Sequence, residues 1–181
     1  SPMSPNPRRQ LLSLWCGPVA FVLFGIGFVV LAGFLPPPSP ADSIEQVVAL
    51  YADRTDGIRA GLLVTCFAGG LLGPWVAAIS TQLKRIEGRD SPLTYTQLGM
   101  GMLTLIVFTI VPMVLQTAAF RLDRDPNAIL ALHDLGWITF IGVYAFPTIQ
   151  CFAITACVLS DPDQRILPRW VGYFNVWVGI G

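Results

Sequence analysis

Apolar and polar positions fall into long blocks along this chain. Residues 11–35, 60–83, 95–120 and 135–159 are runs of apolar, small and aromatic side chains without a Lys, Arg, Asp or Glu. About 20 such residues, wound as a helix, cross a hydrocarbon core roughly 30 Å thick. A fifth apolar stretch, 170–181 (WVGYFNVWVGIG), reads as the opening of another helix but supplies only 12 residues, too few to span. The pattern predicts an all-α, polytopic transmembrane helical bundle: a single membrane domain over 1–181, with four complete spans and a truncated fifth. Residue 1 is Ser and the first Met is Met3, so the start reads as processed, tagged or fragmentary. The intact protein is expected to have five or six spans.

The longest connection, 36–59, carries a different period. Its PPPSP run cannot continue a helix and leaves the first span in extended form. Ser39-Pro40-Ala41-Asp42 then fits a helix start, with Ser as N-cap and Pro at the first position. Ile44, Val47, Val48 and Tyr51 follow at i, i+3, i+4 and i+7, one apolar stripe, and Thr55-Asp56-Gly57 reads as the stop. A short amphipathic helix over about 40–53 is expected on the outer surface. It is either a lid over a cavity between spans or, the favoured reading, a structural cover on helix ends or headgroups.

Charged residues make up 12% of the chain against 54% hydrophobic, about half the soluble norm of ~25%. Their placement in loops and termini matches the cost of a charge at the bilayer centre. Formal net charge is zero, so no global field points to nucleic acid. Arg8, Arg9, Lys84, Arg85, Arg89, Arg165 and Arg169 lie on one side of the alternating spans, and Arg54, Arg59, Arg121 and Arg124 on the other. The bias of seven against four places the N-terminus in the cytoplasm. The 25-residue apolar run behind Arg8-Arg9 exceeds a signal-peptide core of about 7–15 residues, and no A-x-A site follows. The first span is read as uncleaved.

Each span holds a proline: Pro18, Pro74, Pro112 and Pro147. Prolines kink helices, and simple kinks are preferred here to the broken helices of a transporter. Gly69-Gly70-Leu71-Leu72-Gly73-Pro74 joins a G-x-x-x-G to a proline. Gly69, Gly73 and Pro74 therefore mark a close helix approach, with a pivot as the alternative. Gln97, Gln116 and Gln150 are the amides in or at the edges of spans. Gln97 and Gln150 share the inner half, and Gln116 shares the outer end with His133 and Asp134. They read as interhelical glue or, alternatively, as the lining of a ligand cavity. His133-Asp134, taken to open span four, is the one His–acid pair. It suits a headgroup or proton relay, or more simply a first-turn acid with a histidine at the wet interface. Gln116, Gln150, His133 and Asp134 are the binding candidates.

Cys16, Cys66, Cys151 and Cys157 all lie in apolar segments and read as buried small hydrophobes, not as a disulfide or metal framework. One histidine cannot supply the paired axial ligands of a di-haem span. No nucleophile motif or Gly-rich phosphate loop is present, so no metal, no cofactor and no enzymatic activity is expected.

The first span, the amphipathic helix, "YADRTDGIRAGLL", "LHDLGWITF" and "LPRWVGYFNVWVGIG" together resemble uncharacterised six-pass bacterial inner-membrane proteins of actinomycete type, grouped as domains of unknown function. The resemblance covers the chain from about Asp42 onward and implies a sixth span, with no site residues to carry over. The expected role is a non-enzymatic bundle that binds lipid or an apolar small molecule, or supports a membrane-protein partner or a second copy. The alternative is a small transporter or permease component with a polar path between spans three and four.

Overall fold

The long apolar blocks fold as helices throughout. A computed structural model of the chain describes residues 7–164 and 166–181. Residues 1–6, with Met3, and Arg165, one of the seven cations counted on the N-terminal side in the sequence, lie outside the described residues. Helix α1 (Pro7–Phe24) runs directly into a π-helical segment, Gly25–Leu31. After the proline-rich connection come α2 (Ile44–Asp53), α3 (Thr55–Glu87), α4 (Pro92–Phe120), α5 (Pro126–Gly142), α6 (Ala145–Leu159) and α7 (Arg169–Ile180). The fold is all-α. Four stretches, Pro7–Leu31, Thr55–Glu87, Pro92–Phe120 and Pro126–Leu159, are long and apolar enough to cross a membrane. Only 22% to 33% of their most apolar windows is buried, so most of the apolar surface faces outward. Trp15, Phe21, Phe67, Met113, Ile138 and Ile141 are all exposed, which suits lipid and would be costly in water.

Several boundaries differ from the sequence expectation for identifiable reasons. Ser39-Pro40-Ala41-Asp42 is a turn, not a helix start: the Asp42 N–H donates to the Ser39 carbonyl at 3.0 Å and the Asp42 carboxylate accepts from the Ser39 N–H at 3.0 Å. Proline preset for the second turn position explains it. Helix α2 instead starts with a capping box on Ser43 and Gln46, each side chain accepting from the other residue's backbone N–H (3.3 and 2.7 Å). Thr55-Asp56-Gly57 is not a stop but the first turn of α3. The Thr55 hydroxyl donates back to the Tyr51 carbonyl at 2.7 Å, with the Ala52 carbonyl 3.1 Å away, closing α2 as α3 begins.

Span four begins at Pro126, nine positions before the expected 135, with Asp125 accepting from the Asn127 N–H at 2.8 Å. An Asp N-cap followed by Pro at the first helical position accounts for this start. His133 and Asp134 thus lie inside α5 and do not open it. The same span is interrupted at Val143-Tyr144. Pro147 is the cause: its ring clashes with the carbonyl four residues back, that of Val143, and removes a helical N–H. Pro18, Pro74 and Pro112 lie within unbroken helices.

The described residues form two compact units. The first comprises residues 7–18, Leu72–Leu105 and Val143–Gly181 without residue 165, and the second Val19–Leu71 and Ile106–Gly142. In the first, Leu83, Ile154, Cys157 and Val158 are buried, packed by Ile79, Leu93 and Val171. Helix α7 returns along α6. A Cβ on Gly172 would sit 3.0 Å from Leu159 and one on Gly179 3.2 Å from Cys151, while Thr155 donates to the Gly172 carbonyl at 3.0 Å. Glu87 caps the start of α4, its carboxylate accepting from the Leu93 N–H (3.0 Å), the Thr94 N–H (2.7 Å) and the Thr94 hydroxyl (2.6 Å). A negative group at a helix N-terminus is favoured by the orphan N–H groups and the dipole.

The second unit holds the larger core. Val47 and Tyr51 of α2 are buried with Phe28, Phe34, Ile58, Leu62, Leu115 and Ile129. The predicted stripe is the one that packs, so α2 covers this core.

Candidate functional site

Tyr51 and His133 meet at the base of α2. The Tyr51 hydroxyl lies 3.0 Å from His133 Nδ1, with both side chains buried. Burial, reinforced by the negative charge of Asp134, holds the Tyr51 phenol well above the usual tyrosine range. A phenol kept protonated donates to Nδ1, and the imidazole then carries its own proton on Nε2. Trp137 tilts beside His133 at 6.2 Å, and Phe34 and Phe28 cross Trp137 edge-on at 5.7 and 5.8 Å. Phe24, Phe108 and Phe140 continue the cluster. Such offset and edge-on pairs contribute about 0.5–1.5 kcal/mol each beyond burial. The Trp137 indole N–H is buried without a hydrogen-bond partner. Asp134, one residue from His133, points outward and is exposed. The pair therefore splits between core and surface, with His133 buried against Tyr51 of α2.

Gln116 belongs to the same unit. Its amide N–H donates to the Arg59 carbonyl at 3.3 Å, and its Oε1 is buried without a partner. The Arg59 guanidinium donates to the Ala119 carbonyl (3.1 and 2.9 Å) and the Phe120 carbonyl (2.8 Å). Arg124 donates to the Thr117 carbonyl at 3.3 Å. These carbonyls end α4 and have no helical donor, so two arginines serve as its C-terminal cap. Arg54 has a related local role, its guanidinium lying over Gly33, which adopts φ +70°.

The closest helix approach is also here, at residues that the sequence reading passed over. Glycines 57 and 61 form a second G-x-x-x-G, followed at the same spacing by Thr65. A Cβ on Gly57 would lie 2.6 Å from the Leu31 carbonyl oxygen. One on Gly61 would press into the Gly27 carbonyl oxygen and lie 2.7 Å from the Ala32 nitrogen. A Cβ on Gly27 would in turn fall 2.5 Å from the Gly61 carbonyl and 2.8 Å from the Thr65 hydroxyl. The widened π-helical backbone thus rests directly on α3. Gly-Ile-Gly at 25–27, poor in α-helix propensity, accommodates the altered winding, and π segments of this kind recur at functional sites. Gly69 also meets backbone, the Phe108 carbonyl at 3.1 Å, whereas Gly73 would meet only a Leu105 methyl at 3.3 Å and Gly70 nothing. Pro74 follows in an unbroken α3.

In the first unit Gln97 is fully buried, its Oε1 2.5 Å from the Ser80 hydroxyl. That hydroxyl also lies 3.1 Å from the Val76 carbonyl. One O–H cannot serve both, so the consistent arrangement turns the Gln97 amide to donate to Ser80. The Gln150 amide rests on Gly101, where a Cβ would fall 2.9 Å away. Gln150 thus belongs to one unit, and Gln116, His133 and Asp134 to the other. A cleft of about 390 Å³ in the first unit is lined by Arg85, Ile86, Ser160, Asp161, Pro162 and Ile166. Of these residues the sequence reading had weighed only Arg85, and that for its charge. Among the described residues no three His, Cys, Asp or Glu side chains are grouped to hold a metal ion, and the four cysteines are unbridged.

Comparison with protein-family models, curated proteins and solved structures returns no match for this chain.

Proposed function

We propose that the protein is a multi-pass protein of a bacterial inner membrane, N-terminus cytoplasmic, akin to the six-pass actinomycete-type group. In this reading it is a non-enzymatic helical bundle that accommodates lipid or an apolar small molecule, or supports a partner. The observation that carries the reading is local pairing. Gln116 bonds to the Arg59 carbonyl, Gln97 to Ser80, His133 to Tyr51 and Thr65 to the Gly61 carbonyl. A transport path needs polar groups open to a solute, and each of these is bonded to a neighbour within its own unit. The orientation gains support from the outer arginines. Arg54, Arg59 and Arg124 have backbone-capping or packing roles, so their presence outside reflects helix termini, not loop charge.

Native mass spectrometry of the purified protein tests this. Retained lipid or apolar adducts that persist in Gln116→Leu and Gln150→Leu agree with the bundle reading. A polar solute retained by the parent and lost in both variants would refute it. The second reading, a small transporter, draws on the buried Gln116 Oε1, which has no hydrogen-bond partner, and the same experiment decides between the two.

A further inference from the structure

We propose that α2 is a proton-sensitive cover, released from α5 when His133 takes up a proton. The docked form fixes the state of the ring. With the Tyr51 phenol donating to Nδ1 at 3.0 Å, that nitrogen is an unprotonated acceptor. A second proton placed there turns the acceptor into a donor that faces a donor. The hydroxyl can turn to accept, but its own proton then needs another acceptor. The proton also creates a cation on a ring that is 5% exposed, with Trp137 tilted beside it at 6.2 Å. A charge buried in such surroundings is costly, whereas an imidazolium in water is not. Release of α2 gives the ring that water and leaves α5 intact.

The local chain suits such a movement. Helix α2 is 10 residues long, buries Val47 and Tyr51, and joins α3 through the non-helical Arg54 (φ −129°, ψ 26°). With so small an anchor, one buried bond weighs heavily. The charges that act on the ring are the carboxylates of Asp134 on its own helix and Asp42 in the connection before α2. Both attract an imidazolium and so oppose release, which sets how much acid is required. From α2 the facing group is the Tyr51 phenol. Glu45, Asp53, Arg54 and Asp56 are exposed, and Arg59 is turned to the carbonyls that end α4. The π-helical segment and residues 106–120 of α4 contain no ionisable side chain. The sign is then fixed. Opening takes up a proton, so docking is strongest above the ordinary imidazole value near 6.5 and weakens as pH falls below it.

Paired cysteine labelling of the purified full chain in detergent tests this. With Cys16, Cys66, Cys151 and Cys157 replaced, Val47→Cys places a thiol on the buried face of α2 and Ala49→Cys one on its exposed face. Each is labelled with a polar maleimide dilute enough that reclosing outruns the reaction. The ratio of the two rates reads the open fraction of α2 and cancels the pH dependence of the thiol itself. From about pH 7.5 to about pH 5 that ratio should rise roughly five- to thirtyfold, the upper figure being one proton taken up at the ordinary imidazole value. His133→Gln keeps an acceptor for Tyr51 but cannot titrate, and should flatten the response. Asp134→Asn removes a charge that holds the imidazolium in place, and should enlarge it. If Val47→Cys does not fold, Val48→Cys on the same stripe takes its place. A flat ratio in the parent overturns the proton-sensitive cover, as does a rise that survives in His133→Gln or shrinks in Asp134→Asn.

Discussion

Gly61 offers the sharpest test of how the helices are held together. Lipid tails are as apolar as leucine, so helices in a bilayer associate through close packing and hydrogen bonds. Gly61→Ala adds one carbon where the Gly27 carbonyl oxygen, the Ala32 nitrogen at 2.7 Å and the Ala32 Cβ at 3.1 Å already stand. Two of those three atoms are backbone, so no rotamer change relieves the contact and the π-helical segment must move off α3. Overpacking of this kind costs about 1–3 kcal/mol. Gly70→Ala, on the same helix with nothing within 4 Å of its new carbon, gains only helix propensity, about 1 kcal/mol. Both variants share that gain, so the difference between them isolates the steric term of about 1–3 kcal/mol. Gly73→Ala, against one flexible Leu105 methyl at 3.3 Å, should behave like Gly70→Ala. Thermal unfolding in detergent, followed by far-UV circular dichroism, ranks the three. Equal midpoints for Gly61→Ala and Gly70→Ala would refute the close approach.

Three further outcomes follow from the caps and the buried pair. Ser43→Ala should loosen α2 by about 0.5–2 kcal/mol through loss of its N-cap, seen as faster proteolysis in the 36–59 connection; Gln46→Ala should act in the same direction, and unchanged cleavage would remove the capping box. Tyr51→Phe strands a buried His133 nitrogen and should cost about 1–3 kcal/mol. Because the Tyr51 phenol is raised in the fold from 10.0, its stabilisation is complete below pH 10 and fades as pH rises toward the folded value; a tyrosinate absorbance titration in which every tyrosine ionises near 10.0 would contradict this. Glu87→Gln weakens a carboxylate that accepts three bonds at the start of α4 and should cost about 1 kcal/mol, read by the same thermal assay against a silent Arg89→Gln.

The helical spans were legible in the sequence because charge exclusion over 20 or more residues has few other meanings. The amphipathic stripe of α2 was legible for the same kind of reason: Val47 and Tyr51 pack as their spacing predicts. Its start was not, because Ser39-Pro40 and Ser43-x-x-Gln46 both read as N-terminal signals, and only the second has the reciprocal side chain. The Val143-Tyr144 break was concealed by an unbroken apolar run, although Pro147 marks it four residues downstream. The glycines at 57 and 61 were visible as a motif, but Asp56 and Arg59 beside them drew the reading toward a loop. The Tyr51–His133 bond joins residues 82 positions apart, and no local pattern encodes such a pair. Among the candidate residues, spacing indicated polarity in the spans but not which partner each side chain takes.

The four-span reading is tested most directly by cysteine labelling in intact cells. Cys16, Cys66, Cys151 and Cys157 are first replaced. A single cysteine is then introduced at Ala49, exposed on α2, or at Asp90, exposed between α3 and α4. With a membrane-impermeant maleimide, Ala49→Cys should label in whole cells and Asp90→Cys only after lysis. Labelling of both before lysis, or of Asp90→Cys alone, would contradict the account.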